Sequence, residues 1–197
     1  MSENYPSAQA ELIAQTMEAL ASLEPTPLAR LETAAGVIAN ALVNEKQLLV
    51  AGTGSHQAMG SYLVGLLSRQ PEDYRPMLPA IDINKLCGDA SSDGLTPAMA
   101  RYIYSLGHEG DVLCVFTGNR HSSAASAVQA SAAEKGMACV TVETGLAGEQ
   151  DRREQNPEDG HIVVALAVEH NYQAQLLGFF LGQCLHRIID QQIFGGA

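Results

Sequence analysis

The chain has 197 residues, 46% of them hydrophobic and 17% charged, which excludes a disordered composition and suits one domain with a sizeable core. Eleven Lys and Arg stand against 22 Asp and Glu, a formal charge of −11, so the basic footprint needed on a phosphate backbone is missing and direct nucleic-acid binding is not expected. No apolar run approaches the ~18 residues of a membrane span, and residues 1–4 lack the basic and apolar segments of a signal peptide; the expectation is a cytoplasmic protein without membrane contact.

In chain order, residues 7–23 place Leu12, Ile13, Met17 and Leu20 at helical spacing. Pro25 and Pro27 interrupt, and a second helix follows with Leu28, Leu31, Ala35, Ile38 and Leu42 on one stripe. Residues 1–45 are therefore expected as an N-terminal helical hairpin packing on the domain and in an oligomer, with 46–197 as the main structural unit. The apolar stripes suit core packing or an oligomeric bundle, and the pattern alone leaves both open. Phe179, Phe180 and Leu181 are consecutive on a late helix and cannot all face one sheet, which points to a homo-oligomer, a tetramer before a dimer.

From residue 47 short aliphatic runs alternate with helical stretches. The runs are 47–51, 79–83, 111–116, 138–142 and 161–166; helices are expected over 55–69, 96–107, 122–135 and 173–193. Continuous apolar strands separated by helices predict a three-layer α/β fold around a five-stranded parallel, flavodoxin-like sheet. Residues 145–160 are polar and read as an exposed connection. Cys87, Cys114, Cys139 and Cys184 form no CxxC pair and fit free thiols better than a zinc site or a disulfide framework.

In open α/β sheets ligands bind beyond the carboxyl ends of the strands. Two loops there stand out. Gly52-Thr53-Gly54-Ser55-His56 follows the first strand and runs into a helix; Thr117-Gly118-Asn119-Arg120-His121-Ser122 follows the third and does the same. Glycines admit an anion close to the backbone, and hydroxyls with helix N-termini supply donors. The expected ligand residues are Gly52, Thr53, Gly54, Ser55, His56, Thr117, Asn119, Arg120 and Ser122, and the expected ligand carries phosphate. His56 and His121 lie on opposing loops and are the candidate catalytic pair, against the plainer reading of two polar loop residues. The first loop lacks G-x-G-x-x-G and the chain has no GKS or GKT, so dinucleotide and P-loop fingerprints are absent.

These motifs resemble the sugar-isomerase (SIS) domain, and within it the phosphoheptose isomerase group. The glycine loop at 52–56, Arg75-Pro76 with Pro79-Ala80-Ile81, Leu106-Gly107 with Gly110-Asp111-Val112-Leu113, and Glu134-Lys135-Gly136-Met137 stand in the family's order. The ending Ile188-Ile189-Asp190-Gln191-Gln192-Ile193-Phe194-Gly195 is most similar to the replication-initiator-associating (DiaA-type) branch. The resemblance implies a phosphosugar ligand, a homotetramer and a replication initiator as possible partner. It also implies a metal and acid/base set: a His and a Glu four apart on the helix after the glycine loop, and a Gln and a His eight apart on the last helix. Here the first pair falls on Tyr62 and Leu66, or on Ser61 and Gly65 with one loop residue deleted; the second falls on Gln175 and Gln183. His186 lies one turn further on. Gln175 is the one ligand residue kept, and neither a bound metal nor another cofactor is expected. The expected function is a non-catalytic phosphosugar-binding regulatory or interaction module. The alternative is an aldose–ketose sugar-phosphate isomerase with relocated residues such as His56, His121 or Glu143.

Overall fold

Period-two alternation along the strands divides the interior in two. In β1 (Leu48–Gly52), Leu48 and Val50 enter one apolar cluster while Leu49 and Ala51 enter another. β3 (Val112–Thr117) does the same, with Val112, Cys114 and Phe116 on one side and Leu113 and Val115 on the other. Strands buried on both faces need helices on both, and that is the arrangement found. The computed structural model describes residues 7–21, 23, 25–69, 76–88, 92–146 and 161–195.

With β2 (Ala80–Asp82), β4 (Ala138–Leu146) and β5 (His161–Val168), the strands form one parallel sheet in the order β2-β1-β3-β4-β5. This is the expected doubly wound order, and it reverses between β1 and β3. Helices α2 (Pro25–Val43), α3 (Gln57–Ser68) and α7 (Asn171–Phe194) cover the larger cluster. Helices α4 (Ile83–Leu86), α5 (Ser92–Leu106) and α6 (Ser123–Glu134) lie over the smaller one. Right-handed crossovers leaving the switch point in opposite directions put α3 and α6 on opposite faces.

The two N-terminal helices differ. α2 buries Leu31, Ala34, Ala35, Ile38, Ala39, Ala41 and Leu42 and is part of the core. α1 (Ala8–Ala21) buries none of its residues, and Ile13 and Met17 are 60% and 65% exposed. It touches α7 through Tyr172, whose hydroxyl donates to Gln15 Oε1, and through Gln173 Nε2, 3.3 Å from the Gln15 carbonyl. On α7, Leu181 is buried, Phe179 half-buried and Phe180 exposed, as three consecutive helical residues must be.

Three boundaries depart from expectation. β4 continues four residues past 142, and the carboxylate of Glu143 within it is matched by Arg120. The second apolar run is cut to three residues, because the Asp82 side chain accepts from Lys85 N and caps α4. The helix expected over 96–107 starts earlier, at Ser92, so that Pro97 lies inside α5. Residues 147–160 of the expected exposed connection lie outside the described residues. All four cysteines are free; burial pushes Cys139 up to about 12 and Cys114 higher still. Among the described residues no helix is long and apolar enough to cross a membrane.

Candidate functional site

The two glycine-bearing loops meet at the switch point. Thr53 N donates to the Phe116 carbonyl at 2.9 Å, and Thr53 Oγ1 donates to Thr117 Oγ1 at 2.7 Å. Thr117 Oγ1 in turn donates to the Asn119 carbonyl at 3.0 Å. The end of β1 is pinned from below by Asn84, whose amide group bonds both Gly52 N (2.6 Å) and Gly52 O (2.9 Å). Gly52 must be glycine, since a Cβ there would lie 2.4 Å from Gln57 Cα. A single 3₁₀ turn, Gly54–His56, then leads into α3.

The second loop ends at Ser122, whose Oγ accepts from Ala125 N and caps α6. A third wall comes from the extension of β4. A Cβ on Gly145 would lie 2.1 Å from the Gly118 carbonyl oxygen, so only glycine lets β4 run this close to the second loop. The fourth is the start of α7, where the Gln173 side chain accepts from His170 N at 3.1 Å. Together these walls enclose a cavity of about 540 Å³, lined by residues 53–56, 117–119, 122, 124, 144–146, 171, 174 and 175. Three helix starts, those of the 3₁₀ turn with α3, of α6 and of α7, therefore border one space, and their free N–H groups favour an anion there.

Thr53, Gly54, Ser55, His56, Thr117, Asn119, Ser122 and Gln175 all line the cavity. Gly52 lies behind it, engaged with Asn84. Arg120 is a correction: it does not line the cavity. Its guanidinium is 2.6 Å from Glu143 Oε2, its backbone N–H donates to Glu143 Oε1 at 3.0 Å, and both side chains are buried. The same pair removes Glu143 from the list of free bases. His121 is a second correction: it is exposed, away from the lining, and its backbone N–H is held by Asn119 Oδ1, so it does not face His56 across the site. His56 itself is buried between the loops, with Nε2 at 3.1 Å from both the carbonyl and the Oγ1 of Thr144. Desolvation lowers its pKa below 6.5, against the opposing pull of the Thr144 carbonyl.

Sequence reasoning missed Ala124, Thr144, Gly145, Leu146, Asn171 and Ala174, and named Gly118 only as part of its loop. Thr144-Gly145 was the available signal, a small polar pair directly after an apolar strand at the same sheet end. The two readings of the helix after the glycine loop separate in space. Tyr62 Oη donates to Gln183 Oε1 at 2.7 Å and its ring meets Phe179 edge-on at 5.4 Å, whereas Ser61 Oγ donates to Asp82 Oδ2 at 2.6 Å. Among the described residues no group of three or more His, Cys, Asp or Glu converges to hold a metal.

No protein-family model matches the sequence. A phosphoheptose isomerase of Halorhodospira halophila is 31% identical over 163 residues, covering 81% of each chain. The chain belongs to the SIS-domain phosphoheptose isomerase group. Within that group it is also similar to the DnaA initiator-associating protein DiaA of Salmonella newport, 28% identical over 185 residues and 91% of each chain. A phosphoheptose isomerase structure from Francisella tularensis superposes with a TM-score of 0.73 at 24% identity, over 92% of this chain and 95% of that one, and so shares the SIS fold. In the ungapped register Tyr62 falls where the resemblance implies a histidine, and it contacts Gln183; with one loop residue deleted that position is Ser61.

Proposed function

We propose that this SIS-domain chain is a cytoplasmic phosphosugar-binding protein that acts as a non-catalytic regulatory or interaction module, similar to the initiator-associating relatives. The observation that carries this reading is the composition of the cavity. Its walls offer hydroxyls, amides and three helix starts, all suited to holding an anion, but no carboxylate to move a proton beside a carbonyl. Where the resemblance implies a metal and acid/base set, a phenol and an amide satisfy one another. The partner that follows is a replication initiator ATPase, and the assembly a homotetramer using the exposed apolar faces of α1 and α7, including Ile13, Met17, Leu176 and Phe180.

Three measurements test the proposal. Calorimetry with a panel of sugar phosphates is expected to show binding to the unmodified protein and weaker binding to Ser55→Ala and Ser122→Ala. A coupled assay with sedoheptulose 7-phosphate is expected to show no turnover. Pull-down with purified DnaA is expected to retain the initiator. Absence of binding to every sugar phosphate would overturn the ligand, and turnover would overturn the non-catalytic role. The isomerase reading keeps one specific support: His56, a neutral imidazole in the cavity wall. His56→Gln would abolish activity if that reading held.

A further inference from the structure

Among the residues lining the cavity, the other polar side chains are neutral hydroxyls and amides, and His56 is the one ionisable group. We infer that anion binding in this cavity is coupled to proton uptake by His56, which makes that side chain the site's charge selector. The inference rests on the reading of the cavity as a phosphosugar site and assigns its regulation.

The geometry supplies the mechanism. His56 Nε2 faces the Thr144 carbonyl, which can only accept, so in the neutral ring Nε2 carries the hydrogen. Nδ1 is then a bare lone pair, 3.4 Å from Ser55 Oγ. In that state Nδ1 draws the Ser55 hydroxyl hydrogen towards itself and leaves Ser55 an acceptor towards the cavity, the wrong polarity for a phosphate. Protonation of Nδ1 reverses the contact: Nδ1–H donates to Ser55 Oγ, and the hydroxyl hydrogen turns to the ligand. The same step places a positive charge in the wall. Both changes favour an anion, and by reciprocity an anion favours the proton.

Among the described residues no other charge lines the cavity. The β1–α3 loop and α3 carry no Asp, Glu, Lys or Arg. On the β3–α6 loop and β4, Arg120 and Glu143 pair with each other, and His121 is exposed. At the start of α7, Glu169 and His170 are exposed and outside the lining. Burial of His56 supports the same direction, because it keeps the unliganded ring neutral at pH 7.

The test uses the intact protein with two probes, inorganic sulfate, whose charge is constant over the range, and sedoheptulose 7-phosphate. Affinity for each is measured by calorimetry at about pH 5.5 and about pH 7.5, and the His56 ring proton is followed by NMR with and without saturating sulfate. The expected result is tighter binding at the lower pH, up to about tenfold per pH unit between the free and bound pKa values of His56, together with a raised His56 pKa in sulfate. His56→Gln keeps an amide donor for Thr144 and is expected to bind sulfate equally at both pH values. Binding that does not change with pH, or an unmoved His56 titration in the unmodified protein, overturns the coupling alone. No binding of either probe, or of any sugar phosphate, at either pH overturns the site reading and the coupling with it.

Discussion

Replacing Glu143 with Gln removes one charge from the most deeply buried ion pair described here, and its cost follows from the geometry. Arg120 and Glu143 are 6% and 1% exposed, and the guanidinium and carboxylate are 2.6 Å apart. At an effective dielectric of about 20 the attraction at that distance is about 6 kcal/mol, offset by desolvation of both ions. Gln keeps an oxygen to accept from Arg120 N–H, so the backbone bond survives and the lost quantity is the countercharge. Removing one partner's charge from a buried pair costs about 3–5 kcal/mol, and the retained bond argues for about 3. A domain of ordinary stability, roughly 5–15 kcal/mol, would lose a large share of it. Urea denaturation at fixed protein concentration reads this directly, as a lower midpoint with an unchanged slope. Replacing the pair together, Arg120→Met with Glu143→Leu, should recover part of the loss, since no buried charge is then left uncompensated, although the backbone N–H at 120 loses its acceptor. A loss below about 1 kcal/mol for Glu143→Gln, of the size found for solvent-screened pairs, would refute the argument.

Three further outcomes are expected. Gly145→Ala brings a methyl within 2.1 Å of the Gly118 carbonyl and should push the second loop out of place, with sugar-phosphate affinity falling at least tenfold in calorimetry while the circular dichroism spectrum is kept. Because His56 is less basic folded than unfolded, the unfolded state takes up the proton first; its contribution to stability should be complete above pH 6.5 and decline as pH falls from there to its folded pKa, and His56→Gln should flatten that slope in thermal melts across the acid range. Met17→Glu, on the exposed stripe of α1, should shift light scattering from a tetramer mass towards the 20.9 kDa monomer without changing thermal stability of the isolated chain.

The sheet was legible because the strands are mostly continuous aliphatic runs, and runs buried on both faces point to a parallel sheet covered by helices. The site was half legible for a related reason. Hydroxyls and glycines after β1 and β3 are local signals, whereas the Gly145 wall depends on two backbones meeting from different parts of the chain. Arg120 shows the limit most clearly. In a loop its charge suggests a ligand contact, and only the register that sets Thr117 opposite Glu143 reveals a carboxylate buried within reach. Tyr62 is similar: the sequence offers it only as one of two aligned positions, and only the packing of α3 on α7 shows its hydroxyl bonded to Gln183. α4 escaped notice because four residues carry no periodicity, and a capping aspartate at a strand end is ordinary.

The sheet separates two apolar clusters of unequal size, and local opening follows buried apolar contact. α6 is anchored by Ala125, Val128 and Ala132, small or branched side chains that bury little area, while α7 is anchored along its length by Leu177, Leu181, Leu185 and Ile189. Amides of α6 should therefore exchange through partial opening, and those of β1 and α7 only on global unfolding. The cavity straddles this seam, with residues 53–56 and the start of α7 on the firm side and Ser122 and Ala124 on the looser one. A bound phosphosugar would stitch the two together, so that deuterium uptake falls in α6 and hardly changes in β1. Occupancy would then be written into the protection of a helix that contributes only its first turn to the site.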